Sequence, residues 1–332
     1  MTTALALLLL LAPPDSKENQ RLLFMAARTG DTAAVERLLK EGADVDAFEL
    51  SGDGPLAMAA ENGNTETVAA IITFHPNEFS RERAMQKASA AGYLDIARML
   101  LETGLPDRSL REALTLAVAA NHTGFVRLLI QFGADPNAAN NGIPVLFTAI
   151  AANHTDMVEL LLMSGGRIMT GRGGMTAMMA AVNQGSVEMV EMLLSFGADP
   201  GQADEKETSP LLFSVAKGRG DIVRLLLVSG ADPNQAGENG LTPLATAVRS
   251  GRQRVLQQLM AFGAKVNQAD GKGATPLLIA IAQGREDMVR ALIDAGADVN
   301  QRDLYGTSPL TQARRRKNQE IVDLLTRRGA QP

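Results

Sequence analysis

The sequence predicts an all-α solenoid built from about ten short helix–turn–helix repeats. A Gly-Ala-Asp-like triplet recurs at a nearly constant interval, and each interval holds two stretches whose apolar residues have helical spacing. Self-similarity at such a period indicates a repeat architecture, in which each repeat buries its apolar face against its neighbours. Because a stack of this kind has a continuous core at any length, 332 residues do not require two separate globular domains.

The period defines the number of repeats. The triplet begins at Gly42, Gly133, Gly165, Gly197, Gly230, Gly263, Gly296 and Gly329. From Gly133 onward the intervals are 32 or 33 residues. The 91-residue interval from Gly42 to Gly133 divides into 33, 29 and 29 if His75 and Gly104 hold the same position. This division gives ten repeats, of which the third and fourth are each four residues short.

One repeat, 273–300, illustrates how the residues determine the helices. Thr275 is placed to cap the first helix, and Pro276 stands at its first position, where the N–H it lacks would have no partner. Gly284 is expected to stop this helix, and Gly296 the second. The apolar residues recur at helical spacing: Leu277, Ala280, Ile281, then Met288, Val289, Leu292 and Ile293. Helices this short are unstable alone and must pack against neighbours.

These features resemble the ankyrin repeat, with its period of about 33 residues and its Thr-Pro-Leu-His opening. The openings are Thr242-Pro243-Leu244, Thr275-Pro276-Leu277, Ser209-Pro210-Leu211 and Ser308-Pro309-Leu310, with weaker copies at Gly54-Pro55-Leu56 and Thr176-Ala177-Met178. The resemblance covers residues 17–331. It implies two helices and a short β-turn finger in each repeat. The histidine of the family motif is absent from every opening, so we expect weaker polar bridging between repeats.

The N-terminus requires its own interpretation. Ala4–Ala12 is an apolar run of nine residues, too short to span a bilayer but of suitable length for the apolar region of a signal peptide. We expect residues 1–16 to be such a segment and 17–332 to be the repeat domain, in an exported protein, periplasmic or secreted. The absence of Lys or Arg before the run and Pro13 after Ala12 count against cleavage. The alternative is an apolar helix on the first repeat of a cytoplasmic protein.

Composition argues against catalysis. The chain contains no cysteine and only three histidines, which excludes thiolate chemistry and disulfides and leaves few metal ligands. Neither a Gly-rich phosphate loop nor a Gly-x-Ser-x-Gly elbow occurs. We therefore expect no enzyme activity, cofactor or metal. The net charge of −5 argues against a nucleic-acid surface, and we expect a monomer without a membrane span.

The shortened repeats are the clearest departure from the pattern. In the sequence, Ser80 and Ser109 read as N-caps of first helices whose preceding fingers have been deleted. One interpretation is neutral drift, since surface loops tolerate deletion. The other is a low bay that admits a bulky element of a partner.

The family resemblance implies a concave binding face made from finger tips and from two positions late in each first helix. Carried onto this chain, the helix positions in three successive repeats are alanine pairs, which would form a smooth floor. The implied protein-binding residues are Ala90, Ala91, Ala119, Ala120, Ala151, Ala152, Arg172, Met175, Asn183, Gln184, Glu205, Lys206, Lys217, Glu238, Asn239, Arg249 and Tyr305. Alternatively, the alanines only fill space where helices pack closely.

Two further clusters allow a structural or a functional interpretation. Eight of the fifteen methionines lie within residues 157–192, most of them at core spacing, although Met169 and Met175 lie in a finger beside Arg172. Arg314-Arg315-Arg316-Lys317 forms a basic cluster in the last repeat. It could be the polar outer face that a terminal repeat requires, or it could receive an acidic partner.

The sequence therefore predicts a non-catalytic protein-binding scaffold, adaptor or inhibitor that uses the ankyrin groove. The partner is expected to be another protein. The alternative is a structural spacer, or a stabilising partner of an exported enzyme, with little groove binding.

Overall fold

The computed structural model describes residues 16–331, apart from the side chains of Ser16 and Arg172. The apolar run Ala4–Ala12 lies outside these residues, and the signal-peptide prediction and the division into 1–16 and 17–332 remain predictions. The described chain forms two compact units. The first comprises the described residues up to Asn141 together with Met163–Gly166, and the second comprises Gly142–Leu162 and the described residues from Arg167 onward.

The first compact unit contains four consecutive helix pairs, repeats 1 to 4. Their bounds are α1 Ser16–Thr29, α2 Thr32–Lys40, α3 Pro55–Glu61, α4 Thr65–Ile72, α5 Glu78–Ala91, α6 Leu94–Glu102, α7 Asp107–Ala119 and α8 Thr123–Gln131, followed by the short strand β1 Ala139–Asn140. First helices contact the first helices of the next repeat, and second helices contact second helices. This is the stacking that the repeat pattern requires.

The second compact unit continues the pattern with six pairs, repeats 5 to 10. It begins with the short strand β2 Ile143–Pro144, and its helices are α9 Val145–Ala151, α10 Thr155–Met163, α11 Ala177–Gln184, α12 Val187–Ser195, α13 Pro210–Lys217, α14 Gly220–Val228, α15 Pro243–Arg249, α16 Gln253–Ala261, α17 Pro276–Ala282, α18 Glu286–Asp294, α19 Pro309–Arg316 and α20 Gln319–Arg327. The predicted all-α repeat fold is confirmed. Within residues 16–331, no helix is long and apolar enough to cross a membrane.

The helix boundaries follow the predicted capping residues. The Thr275 hydroxyl accepts the Leu278 N–H at 3.2 Å, and Ser209 and Thr242 cap their helices in the same way. His75, at φ +54°, adopts the left-handed conformation of the glycine whose position it takes. Because a β-carbon disfavours that conformation, residues other than glycine seldom adopt it. The positive φ of His75 therefore supports the division of the 91-residue interval.

The core consists of small and aliphatic side chains packed between the helices. Leu292 and Ile281 are fully buried, as the apolar spacing of the ninth repeat predicts. In the methionine-rich segment, Met157 and Met189 are also fully buried, whereas Met163 is 73% exposed. The core interpretation therefore holds for part of the methionine cluster and fails at Met163, which lies at the end of α10.

The shortened repeats differ from the sequence prediction. Ser80 and Ser109 are not N-caps; they lie inside the first turn of α5 and α7, which begin at Glu78 and Asp107. Asn77 caps α5 through its side-chain oxygen, which accepts the Ser80 N–H at 2.9 Å. Helices α5 and α7 have 14 and 13 residues, against the seven of α3. The fingers are thus replaced by additional helical turns. The four-residue shortening seen in the sequence did not predict these longer helices.

Polar bridging between repeats does not depend on the missing histidine. The Asn267 side chain donates to the Gly296 carbonyl at 3.3 Å and accepts the Asp298 N–H at 2.8 Å. The same pair of hydrogen bonds recurs one repeat earlier and one repeat later, at Asn234 and Asn300. In these repeats the asparagine four residues after the glycine of each Gly-Ala pair supplies polar bridging without the histidine, and the expectation that bridging is weaker than in the family stays a prediction.

Candidate protein-binding site

An open cleft lies over the first helices of the two shortened repeats. It has a volume of about 470 Å³ and lies within the first compact unit. Its walls come from α5, from α7 and from β1, which contacts α7. The lining residues are Gln86, Arg111, Glu112, Thr115, Leu116, Ala139 and Asn140. The cleft therefore lies where the fingers of repeats 3 and 4 are replaced by helical turns.

The cleft walls combine apolar, polar and charged groups. The Leu116 side chain is 37% exposed, in the middle of a helix that otherwise buries its leucines. Across the cleft, the Gln86 amide donates to the Glu112 carboxylate at 2.7 Å. Arg111 is exposed, and its guanidinium forms no ion pair with any residue of 16–331. An available cation beside an exposed leucine suits a protein partner that offers an acid and an apolar side chain.

The other charges near the cleft neutralise one another. Asp53, at the base of the second finger, is 8% exposed and accepts from Arg83 at 2.7 Å and from Lys87 at 3.1 Å. Burial alone would raise the pKa of Asp53, but the hydrogen bonds from the two cations outweigh it and lower that pKa below its ordinary value. Lys87 also pairs with Glu61 at 2.9 Å. This network holds the second finger against α5.

A second network joins α5 to α7. Glu82 accepts from Arg108 at 2.8 Å and from the Ser109 hydroxyl at 2.6 Å, and Arg108 also pairs with Glu78 at 2.6 Å. Burial tends to raise the pKa of Glu82, while the hydrogen bonds from Arg108 and Ser109 lower it by more. Ser109 therefore has a role that sequence reasoning missed: it binds a carboxylate of the preceding repeat instead of capping its own helix.

A smaller cleft of about 240 Å³ lies beside the first, and Gln86 lines both. It includes Phe79, whose ring packs edge to face on Phe48 with the centroids 6.0 Å apart. Both rings are more than half exposed, and Leu50 at the finger tip is fully exposed. Sequence reasoning passed over this apolar cluster because its members come from a finger and from the first turn of a helix, without a common period.

The predicted alanine pairs do not line these clefts. Ala90 and Ala91 are the last two residues of α5, and Ala119 with Ala120 ends α7. All four are exposed, but the helical residues that line the larger cleft come from earlier turns of these helices. In the second compact unit, Ala151 and Ala152 end α9 and are also exposed.

The residues at the C-terminal ends of the first helices have a structural role, because their backbone carbonyls accept hydrogen bonds from the next repeat. A hydrogen bond of 3.1 Å joins His122 Nε2 to the carbonyl of Ala90 in the preceding repeat. Arg285 donates likewise to the carbonyl of Arg249 at 3.3 Å, and Gln184 to that of Ala151. These backbone groups lie at helix C-termini, where carbonyls need outside donors. The alanine side chains themselves remain free to contact a partner.

The remaining predicted residues belong to the second compact unit, and those whose side chains the structure describes are solvent-exposed. Asn183, Gln184, Lys217 and Arg249 end first helices, whereas Met175, Glu205, Lys206, Glu238, Asn239 and Tyr305 lie in the fingers. The backbone of Arg172 begins a 3₁₀ turn in one finger. Tyr305 is 78% exposed beside Leu304, which is 75% exposed. Where the side chain is described, its exposure is compatible with partner binding, and the roles of the individual residues stay predictions.

The described side chains show no arrangement suited to metal chemistry. Within residues 16–331, no group of three or more His, Asp or Glu residues could hold a metal ion. What the described surface offers is clefts, exposed apolar tips and unpaired cations, which are features of protein recognition.

Comparison with known proteins identifies the family of this chain. The family model for ankyrin repeats, in three copies, matches residues 4–79, 23–108, 105–171, 177–270, 211–303 and 244–332. A mouse B-cell lymphoma 3 protein homolog is 35% identical over 92 residues, 26% of this chain and 20% of that protein. The Caenorhabditis elegans ankyrin repeat and KH domain-containing protein mask-1 is 30% identical over 131 residues, 37% of this chain and 5% of that protein.

Among solved structures, the ankyrin repeat domain of Bcl-3, described as a unique member of the IkappaB protein family, is similar with a TM-score of 0.59 and 28% identity. The match covers 64% of this chain and 97% of that domain. The chain spans only a fifth or less of the two sequence relatives. Since the family model matches well over half of the sequence, the chain belongs to the ankyrin-repeat family.

Proposed function

We propose that this chain is a non-catalytic protein-binding scaffold, adaptor or inhibitor that recognises its partner on the first-helix side of its repeats. The observation that supports this most is the cleft over α5 and α7. Two successive repeats have exchanged their fingers for helical turns, and an exposed leucine and an unpaired arginine line the space beside them. Core packing requires neither residue to be there, so partner binding is the better explanation.

The relatives are compatible with this proposal. Bcl-3 is a member of the IkappaB protein family, and its ankyrin repeat domain has the same fold. No part of the proposal requires a cofactor, a nucleic acid or a catalytic step. A spacer with little groove binding would have no need for Leu116 to be exposed in the cleft.

Site-specific photo-crosslinking tests the proposal. A photoreactive phenylalanine analogue at Leu116 should crosslink to a partner from the native host, which mass spectrometry would identify. The matched control is Leu94, an exposed leucine of the same compact unit that does not line the cleft. With the partner in hand, Leu116→Arg should weaken binding by about tenfold or more, since it places a charge in a desolvated contact. Equal crosslinking at both positions, or none at Leu116, would contradict the proposal.

A further inference from the structure

The second compact unit has an unusual concentration of cations at the turns that join first and second helices. In repeats 7 to 10 these turns contain eight basic residues: Lys217, Arg219, Arg249, Arg252, Arg285, Arg315, Arg316 and Lys317. All are exposed except Arg285, which is half-buried. We call this set the basic edge. The equivalent turns of repeats 2 to 4, in the first compact unit, contain no lysine or arginine.

The basic edge is ordered by contacts between successive repeats. A β-carbon placed on Gly185 would lie 2.7 Å from the guanidinium of Arg219, and one on Gly218 would lie 2.5 Å from that of Arg252. Arg219 also donates to the Asn183 carbonyl at 3.5 Å. Arg219, Arg252 and Arg285 therefore each lie over the turn of the repeat before, and these three cations form a row with one repeat as its spacing.

The cations of this row lack acidic partners. None of the eight forms an ion pair with any residue in the described chain, although unit 2 does contain the pairs Arg290–Glu320 and Arg328–Asp294. Four acids lie in the first turns of the second helices that follow: Asp221, Glu286, Asp287 and Glu320, of which Glu320 pairs with Arg290. Glu286 accepts a hydrogen bond from Asn318 at 2.7 Å. The edge thus keeps a surplus of positive charge in a protein whose net charge is −5.

Open clefts separate neighbouring turns of the basic edge. One of about 490 Å³ lies against Gly218 and Arg252, and another of about 510 Å³ lies against Gly251 and Arg285. Packed helices are about 8–10 Å apart, and an extended chain advances about 3.3 Å per residue, so about three residues of a bound segment correspond to one repeat. About ten residues would reach all four turns.

We propose that the basic edge binds an extended, acidic segment of a partner protein, rich in Asp and Glu. Charge complementarity supports this occupant, because carboxylates of the segment would pair with arginines that have none. A nucleic acid is less well matched. The four turns contain no aromatic residue on which bases could stack. This edge belongs to other repeats than the cleft of α5 and α7, so the two proposals can fail separately.

Binding of a labelled peptide to the full chain tests the proposal. The probe is a Glu-rich peptide of about 12 residues, long enough to span four repeats, compared with the same peptide in which Gln replaces Glu. Fluorescence anisotropy should show binding of the Glu peptide alone, and the affinity should fall sharply between about 50 mM and about 300 mM salt as screening increases. The double variant Arg249→Glu/Arg316→Glu should weaken binding by about tenfold or more.

The matched control is Arg224→Glu/Arg327→Glu, which makes the same change of net charge on second helices of the same unit. It should bind the Glu peptide with nearly unchanged affinity. If the first variant fails to fold, as judged by circular dichroism, Arg249→Gln/Arg316→Gln removes the charge without reversing it and should still weaken binding. Equal loss in the control, binding of the Gln peptide, or tighter binding to single-stranded DNA or to anionic lipid vesicles would overturn the proposal.

Discussion

Repeats 3 and 4 in the first compact unit and repeats 7 to 10 in the second have the same helix pair but different surfaces. In repeats 3 and 4 the fingers have become helical turns, and most nearby charges are consumed in ion pairs such as Arg83–Asp53 and Arg108–Glu82. In repeats 7 to 10 each first helix has an N-cap that accepts a backbone N–H, and the cations of the basic edge remain unpaired.

The difference shows how a repeat protein separates stability from recognition. Equivalent buried positions such as Leu129 and Leu292, each the seventh residue of its second helix, are filled alike in both regions, since each repeat must bury the same face. Finger residues and inter-helix turns contribute little to that core and can change freely. Within one fold, the first region has a cleft whose neighbouring charges mostly form ion pairs with one another. The second region has a row of cations without ion pairs. Three substitutions, Leu292→Ala, Ala120→Arg and Asp53→Asn, test this separation of stability from recognition.

The largest effect is expected in the core. Leu292→Ala should lower the free energy of unfolding by about 2–5 kcal/mol, because Leu292 is fully buried and its truncation leaves a cavity. Since coupling in a repeat array runs between neighbours, hydrogen exchange should increase most near residues 240–331 and little near 20–75. Exchange measured by mass spectrometry checks this, and a uniform increase along the chain would argue against locally coupled repeats.

Most of the fold could be predicted from the sequence, because the core obeys a period. The position of Thr275 before Pro276 predicted a capped helix, and the structure has that cap. The division of the long interval placed His75 in a glycine position, and its positive φ agrees. Where a residue departs from the period, as at Ser80 and Ser109, the pattern no longer indicates which backbone group it caps. The local sequence Asn77-Glu78 could have shown the earlier start of α5, since Asn is also a preferred cap.

The candidate site was harder to predict because it depends on side chains from different repeats. The alanine pairs are exposed, as their assignment to a binding face requires, but the cleft nearby is lined by Gln86, Arg111 and Leu116. Knowing that these three residues share a cleft requires the stacking of α5 on α7. Similarly, the ion pairs of Asp53 join residues some 30 positions apart, without a local signal.

The next effect concerns partner binding at the alanine pairs. Ala120→Arg should leave the fold intact, since Ala120 is exposed at the end of α7. It should cost a partner seated there at least ~2 kcal/mol through steric clash and an unpaired charge. Titration of the partner identified by crosslinking measures this loss.

The control for that change must be equally exposed. Ala282 is half-buried, so an arginine there would disturb packing as well as binding. Ala216, exposed near the end of α13 in the second compact unit, is the better match. Ala216→Arg should bind with near wild-type affinity. If both variants bind like the wild type, Ala120 is not part of the binding site.

The smallest effect is expected from the ion network of the second finger. Asp53→Asn should lower the free energy of unfolding by about 1–3 kcal/mol, because it leaves Arg83 and Lys87 without their shared carboxylate. The pKa of Asp53 in the folded state lies below its ordinary value of 3.8, so the carboxylate contributes stability above that pH. The contribution should disappear as the pH falls below 3.8 and through the folded-state pKa. Urea titrations of both proteins at pH 7 and in acid measure the difference.

Asp270→Asn in the second compact unit provides the comparison. Asp270 Oδ1 accepts the N–H groups of Lys272 and Ala274, both at 2.9 Å, and forms no ion pair in the described chain. An asparagine oxygen can accept the same two N–H groups, so this substitution should cost less than Asp53→Asn and should depend less on salt. If the two substitutions cost the same at pH 7, the cations around Asp53 contribute no more than a backbone turn does. The difference between the ion-paired charges of the first region and the unpaired cations of the second would then affect partner binding but not stability.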